Sequence, residues 1–283
     1  MQTAANPRRW TALAVIARAQ LMVIMDTSII GVALPDIRAD LGFTAGDLLW
    51  VFNAYVIAFG GLLLLGGRLS DLFGAKRLFG LGWTVLAAGS LAAGLADSTG
   101  VEIVARAVQG AGAALIAPSA LTLLMVLFGH DQKELMKAFA VYGAAAPAGG
   151  TAGVFVGGVL TEWASWPWVF YINIPVALLA LALTPGLMPS AATRRGSVDV
   201  VGAVLSTAGL ATLVFAIVRA PEQGWAVAET LLLGAGALLA LAAFVAVQGR
   251  RREPLMRLGI FAIPNLAAAN IARVLLGAAW VPM

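Results

Sequence analysis

Runs of about 20 mainly apolar residues recur along the whole chain, and they constrain its fold more than any other feature. A helix needs roughly 20 such residues to cross a bilayer. Eight runs reach this length, and a ninth begins at residue 265 and continues to residue 283. The eight runs cover residues 10–34, 48–67, 78–96, 101–128, 138–160, 168–187, 198–218 and 228–247. They are rich in Ala, Leu, Val and Gly and lack the alternation of barrel strands, so we predict an all-α polytopic membrane protein.

Composition excludes several other classes of protein. With 61% hydrophobic and only 11% charged residues, the 283-residue chain has too few polar groups to cover a water-soluble core. The absence of cysteine excludes disulfides and thiolate metal sites, and His130 is the single histidine. No glycine precedes a lysine, so there is no Walker A sequence, and no Ser-His-Asp arrangement is credible. We therefore predict neither an enzyme nor an ATP-driven pump, and we expect no bound cofactor or metal.

Lysine and arginine fall mainly on one side of the predicted spans. Positively charged loops stay in the cytoplasm, so this bias sets the orientation. With the N-terminus inside, the outer side carries only Arg38 and Arg219, and three arginines lie within spans. The inner side carries 13 of the 18 cationic residues, namely Arg8, Arg9, Arg68, Lys76, Arg77, Lys133, Lys137, Arg194, Arg195, Arg250, Arg251, Arg252 and Arg257. This asymmetry predicts a cytoplasmic N-terminus, and the short clusters indicate contact with lipid headgroups rather than nucleic acid.

Two polar breaks divide the chain into three parts. They lie at residues 188–197 and 248–264, and the second contains three consecutive arginines. Residues 1–187 form a six-span unit, which is a common transporter half built from two three-helix units. Residues 188–248 form a two-span linker pair, and residues 249–283 form a basic loop and the start of a second half.

Asp26 is the carboxylate that lies deepest in a predicted span. A charge at the bilayer centre costs roughly 2.5–3.5 kcal/mol on insertion scales and usually marks an ion or proton path. Arg106 lies in the fourth span, and helix geometry allows both residues to occupy the outer half of one bundle. We hypothesise that the two side chains pair. The alternative interpretation is that Asp26 is only a structural partner of a buried cation.

Glycines recur along one face of the fifth span. Gly149, Gly153 and Gly157 are four residues apart, with Gly150 and Gly158 beside them. Small residues at this spacing let two helix backbones approach closely. We interpret the pattern as a helix-packing face.

Five ordered motifs resemble those of the major facilitator superfamily, specifically its fourteen-span drug:proton antiporter branch. The most specific is GRLSDLFGAKR at residues 67–77, which is similar to the cytoplasmic signature of the superfamily. MDTSIIGVALP at 25–35 resembles the acidic first-helix motif, and RAVQGAG at 106–112 resembles the motif linked with proton coupling. SWPWVFYINIP at 165–175 and VDVVG at 198–202 are also typical of the branch. Two positions depart from it, because Val154 replaces a proline and Pro167 replaces an arginine.

The resemblance implies a proton-driven exporter of lipophilic compounds in the plasma (inner) membrane, working by alternating access. It assigns proton coupling to Asp26 and Arg106, with the proton gradient as the energy source and no cofactor. It also implies a conformational latch in the loop between the second and third spans. The latch residues are Gly67, Arg68, Asp71, Gly74, Lys76 and Arg77.

The chain reaches only a ninth span, whereas the resembled branch has fourteen. We therefore expect the N-terminal portion of a transporter, whose partners are a lipophilic small molecule, membrane lipid and a C-terminal half. Two alternatives stay open from the residues alone. One is a truncated, non-transporting membrane partner that associates through its glycine-rich faces. The other is a metabolite uniporter that does not use protons.

Overall fold

The computed structural model describes residues 8–190, 199–251 and 254–280, and every regular element in these ranges is a helix. The predicted all-α membrane fold is confirmed. The helices are α1 (Arg9–Leu41), α2 (Ala45–Phe73), α3 (Ala75–Gly94), α4 (Thr99–Phe128), α5 (Gln132–Trp163), α6 (Trp168–Tyr171), α7 (Asn173–Leu187), α8 (Val200–Gln223), α9 (Ala228–Arg250) and α10 (Leu266–Trp280), with a 3-10 helix at Leu258–Ala262. The predicted cationic residues Arg194, Arg195 and Arg252 lie outside the described residues.

Seven helical segments in the described ranges are long and apolar enough to cross a membrane. They correspond to α1, α2, α4, α5, α6 together with α7, α8 and α9. The predicted third span forms α3, which has 20 residues but is not among the seven, because Arg77 and several glycines lower its mean hydropathy. The ninth predicted span forms the shorter α10, of 15 residues.

Helices α1 and α5 extend beyond the apolar runs that predicted them. The predicted end of the first span at residue 34 is wrong for the helix, since α1 continues through Pro35 and ends before Gly42, which has a φ of +70°. Helix α5 begins at Gln132 because the Asp131 carboxylate accepts hydrogen bonds from the next backbone N–H groups. Hydropathy marks the part of a helix that suits the bilayer, and polar turns extend past it.

The first seven helices form a bundle in which α1 packs on α5, α2 and α3 pack on α4, and α3 packs on α7. Short turns make consecutive long helices antiparallel, so the bundle has two ends, named here the Gly42 end and the Gly74 end. At the Gly74 end, Arg9 of α1 pairs with Glu134 of α5 at 2.7 Å. At the Gly42 end, the Trp166 indole donates to the Asp40 carboxylate at 2.8 Å.

The glycine face of α5 is the contact surface for α1. Each of its three central glycines lies against the backbone of one α1 residue, so closely that a Cβ atom would overlap or crowd it. The pairs are Gly149 with Leu21, Gly153 with Met25 and Gly157 with Ile29. Both series are four residues apart, so the two helices meet along matching ridges and grooves. The three glycines that the sequence pattern assigned to a packing face all lie at this contact.

Gly158 does not share this contact. A Cβ atom at Gly158 would meet no atom of the described residues within 4 Å. One residue further along a helix is a rotation of about 100°, which turns Gly158 away from α1. The predicted packing role of Gly158 is therefore not at the α1 contact, and it stays a prediction.

Helices α8 and α9 form a hairpin that is closed near its ends by Asp199. The Asp199 carboxylate caps α8 by accepting from the Gly202 backbone N–H at 2.9 Å. Its other oxygen accepts from the Gln248 side chain of α9 at 2.7 Å. The buried carboxylate thus joins the start of α8 to the end of α9, and it explains why the 198–202 motif combines an acidic residue with a glycine.

The hairpin packs on α2 at Gly61. The Thr207 hydroxyl of α8 donates to the Gly61 carbonyl at 2.8 Å. A Cβ atom at Gly61 would lie 3.4 Å from the Thr207 Cβ. The α8–α9 hairpin therefore lies against α2, with glycine permitting the close approach of α8.

We expect a cysteine pair at Gly61 and Thr207 to form a disulfide, because their Cβ separation is close to the range of natural disulfides. The chain has no cysteine of its own, so oxidation of Gly61→Cys/Thr207→Cys gives no competing product. The measurement uses a protease site engineered between α7 and α8. After cleavage, a disulfide keeps the two fragments together, and they migrate as one band in non-reducing electrophoresis. The matched control is Gly60→Cys/Thr207→Cys, since a Cβ at Gly60 meets no atom within 4 Å in the part of the chain that the structure describes. Equal cross-linking of both pairs would contradict this packing.

Candidate functional site

Asp26 and Arg106 form a buried ion pair inside the bundle. Arg106 Nη1 lies 2.5 Å from Asp26 Oδ2, and the two side chains are fully buried. Asp26 lies near the middle of the long helix α1, and Arg106 lies two turns inside α4. The structure therefore brings together the two residues that the sequence hypothesis paired, across a separation of 80 positions.

Two amides complete the surroundings of the Asp26 carboxylate. Its Oδ1 accepts from Asn173 Nδ2 at 2.7 Å and from Gln109 Nε2 at 3.3 Å. With Arg106, three N–H donors converge on two oxygens. An ionised carboxylate only accepts hydrogen bonds, so this arrangement fits the charged form of Asp26.

Arg106 is anchored independently of Asp26. Its Nε donates to the Val51 carbonyl of α2 at 2.8 Å, and its Nη1 also donates to Gln109 Oε1 at 2.8 Å. The Tyr55 ring lies 4.6 Å from the guanidinium carbon, within the range of a cation–π interaction. The guanidinium is thus held by α2 and α4 as well as by Asp26.

The cluster joins five helices through uncharged side chains that sequence reasoning did not assign to the site. Gln109 Nε2 also donates to the Ser90 hydroxyl of α3 at 2.7 Å. Gln109 and Asn173 lie inside the motifs at residues 106–112 and 165–175, so the sequence carries a signal for both. Ser90 and Tyr55 had no such signal, because only the packing of α2 and α3 beside α4 brings them to Arg106.

Removing only one member of the ion pair is expected to destabilise the protein. Removing one member of a buried pair leaves an uncompensated charge and typically costs about 3–5 kcal/mol. Protonating the carboxylate instead removes the attraction without removing the side chain. A site of this kind can therefore couple a single proton to the packing of α1 and α7 against α4.

The predicted latch residues lie together at the Gly74 end. Gly74 joins α2 to α3 with a φ of +95°, a conformation that favours glycine. Gly67, Arg68 and Asp71 occupy the last two turns of α2 and are half-buried. Lys76 Nζ donates to the Pro185 carbonyl near the end of α7 at 2.7 Å, whereas Arg77 is exposed. The loop is held by α7, and its latch role stays a prediction.

An apolar crevice of about 530 Å³ lies between the bundle and the α8–α9 hairpin. Helices α2, α4, α8 and α9 line it, with Trp50 and Phe215 at one end in a tilted ring contact of 5.4 Å. Its walls are almost entirely hydrocarbon. The crevice is separate from the Asp26–Arg106 pair, which is closed on all sides.

Residues 16–280 match the family described as the Major Facilitator Superfamily. The match covers almost the whole chain and includes both members of the ion pair, the latch residues and the glycine face.

Curated relatives include antibiotic export and resistance proteins. The chain is 43% identical over 277 residues to the cephamycin export protein CmcT of Amycolatopsis lactamdurans, which covers 96% of this chain and 57% of the relative. It is 43% identical over 261 residues to the puromycin resistance protein pur8 of Streptomyces alboniger, and this alignment covers 91% of this chain and 51% of the relative. It is 37% identical over 283 residues to the lincomycin resistance protein of Streptomyces lincolnensis, with 98% and 57% covered. The chain thus spans about half the length of these relatives.

Solved structures with a similar fold include two peptide transporters. A peptide transporter POT in complex with sulfate superposes with a TM-score of 0.63 at 15% identity, over 89% of this chain and 54% of that one. The POT family transporter PepTSo superposes with a TM-score of 0.62 at 16% identity, over 86% of this chain and 52% of that one. At this identity the likeness concerns the fold alone.

Proposed function

Because the chain belongs to the Major Facilitator Superfamily, we propose that it forms the N-terminal part of a proton-coupled exporter of lipophilic small molecules, antibiotics among them. The observation that carries the proposal is the buried Asp26–Arg106 pair, which joins α1 to α4 at the centre of the bundle. A multi-pass membrane protein of this family is a transporter rather than an enzyme, as the sequence predicted. The antibiotic names of the relatives support export as the direction and lipophilic compounds as the substrate class.

Proton coupling follows from what protonation does to this pair. In the charged form, Asp26 is held by Arg106, Gln109 and Asn173, which lie on α4 and α7. A proton on Asp26 removes the charge attraction, and the remaining hydrogen bonds must rearrange. Because Arg106 stays bound to the Val51 carbonyl, we infer that α1 and α7 shift relative to α2 and α4. Such a shift opens one side of the bundle and closes the other.

Orientation and location complete the proposal. The Gly74 end carries most of the basic residues, so we place it and the N-terminus in the cytoplasm and the Gly42 end outside. The latch residues then face the cytoplasm, where Asp71 and its neighbouring cations hold one conformation against the second half. The membrane is the plasma membrane, where a proton gradient is available to drive export.

The test is transport of puromycin, lincomycin and ethidium by the complete product of the gene, reconstituted in liposomes. We expect an imposed pH gradient to drive accumulation of at least one compound, and a protonophore to abolish it. The intact mass of the reconstituted protein, compared with 29.1 kDa for this chain, shows whether further residues are present. Flux that persists after collapse of the gradient would indicate a uniporter. Absence of flux for all three compounds would favour a non-transporting membrane partner.

A further inference from the structure

Glu102 is a second buried carboxylate beside the ion pair, and the proposed coupling step does not use it. It lies four residues before Arg106 on α4, so the two side chains share one face of the helix. Its side chain is fully buried. Neither of its carboxylate oxygens has a hydrogen-bond partner among the residues that the structure describes. Asp26, by contrast, receives three donors, so the two carboxylates have very different surroundings.

A carboxylate without donors is expensive to bury in its charged form. Desolvation of an isolated ionised carboxylate costs far more than that of the neutral acid, so such a group takes up a proton instead. The charged groups that act on Glu102 are Arg106, on its own helix, and Asp26, on α1. The positive charge of Arg106 is already balanced by Asp26. Glu102 therefore fits the neutral, protonated form while Asp26 is ionised.

Arg106 has the capacity to serve both carboxylates. Its Nε and Nη1 atoms are bound to Val51, Gln109 and Asp26. Its Nη2 atom is buried and has no partner within the described ranges. The Tyr55 hydroxyl, the other titratable group of the cluster, donates to the Val23 carbonyl at 3.2 Å. One guanidinium nitrogen is thus left for a second acid.

We propose that Glu102 is a second proton-binding carboxylate that shares Arg106 with Asp26. In the present arrangement Glu102 holds one proton and Asp26 is ionised against Arg106. When Asp26 takes up a proton, Arg106 pairs with Glu102 through Nη2, and Glu102 releases its proton. The trio has two acids, one cation and one proton in each state, so its net charge stays zero. This inference rests on the proposed function, because it requires Asp26 to take up a proton during transport.

The test is infrared difference spectroscopy of the complete gene product, purified in lipid nanodiscs near neutral pH. Protonated carboxyl groups give a carbonyl stretch that is separate from the bands of carboxylates, and exposed acids are ionised at this pH. We expect the wild-type protein to show the band of a buried carboxylic acid, and Glu102→Gln to lose it. Glu102→Asp, which keeps an acid at this position, retains such a band. An unchanged spectrum in Glu102→Gln would overturn the protonation of Glu102.

Asp26→Asn tests the sharing of Arg106. With a neutral residue at position 26, Arg106 is free to pair with Glu102, so the carboxylic acid band of Glu102 is lost although Glu102 is unchanged. A buried acid with a purely structural role would keep its band in this variant, and that result would overturn the shared-cation mechanism. Neither spectrum depends on transport. If both variants lose the band but the wild-type protein shows no proton-driven flux, the proposed coupling is refuted and the shared proton stays in place.

Discussion

Replacement of Asp26 with asparagine is expected to reduce proton-driven export of puromycin to the level of protein-free liposomes. Asparagine has nearly the same shape and still accepts hydrogen bonds from Gln109 and Asn173, but it binds no proton in the working pH range. The charge attraction to Arg106, at 2.5 Å in the wild type, is lost permanently. The measurement is accumulation of radiolabelled puromycin under an imposed pH gradient.

Asp36→Asn is the matched control for this exchange. Asp36 lies on the same helix but is exposed, so its substitution leaves export unchanged. Puromycin counterflow, which needs binding and conformational exchange but no net proton movement, is expected to persist in Asp26→Asn. Wild-type accumulation by Asp26→Asn would remove Asp26 as the coupling residue. Loss of counterflow together with loss of the folded protein would assign it a structural role instead.

Replacement of Gly153 with leucine is expected to prevent correct assembly of the bundle. A Cβ atom at this position would lie 2.8 Å from the Met25 carbonyl and 2.9 Å from the Ser28 Cβ. Backbone atoms of α1 cannot rotate away, so the helices must separate. Overpacking of this kind costs about 1–3 kcal/mol even where side chains can adjust. We expect a thermal unfolding temperature well below that of wild type and loss of the monodisperse peak in size-exclusion chromatography.

Gly158→Leu provides the comparison, because it adds the same side chain to the same helix at a position where no described residue lies within 4 Å of the added Cβ. It is expected to keep wild-type stability. Similar behaviour of the two variants would mean that glycine is required for helix flexibility rather than for contact with α1. Since Met25 precedes Asp26, even a folded Gly153→Ala protein is expected to show weakened proton coupling.

Hydropathy predicted the helices, and the depth of charged residues within them predicted the pairing of Asp26 with Arg106. Both predictions depend only on the sequence within each span. A charge in an apolar run needs a partner, and helix rise places the two residues at compatible depths. The same reasoning missed Glu102, because it stands near the start of an apolar run and looks like a polar flank. Only the three-dimensional structure shows that neighbouring helices cover it completely.

The remaining partners in the site depend on side-chain geometry between helices. The Ser90 hydroxyl meets the Gln109 side chain because α3 packs closely on α4 at the neighbouring Gly89. A Cβ atom at Gly89 would lie only 2.8 Å from the backbone nitrogen of Gln109. Nothing in the composition of α3 indicates that contact. The orientation of Gly158 was missed for a similar reason, since a glycine-rich sequence does not show which glycines face the partner helix.

The attachment of the α8–α9 hairpin has a mechanical consequence. Among the described helices, the hairpin contacts the bundle of α1–α7 only where α8 meets α2, with the Thr207–Gly61 hydrogen bond at that contact. The hairpin is therefore attached to α2 through α8, and we do not expect it to move independently of α2. In a transporter with two halves that rock against each other, we expect the hairpin to move together with the half that contains α2. A cross-link between Gly61 and Thr207 would consequently leave the rocking motion intact.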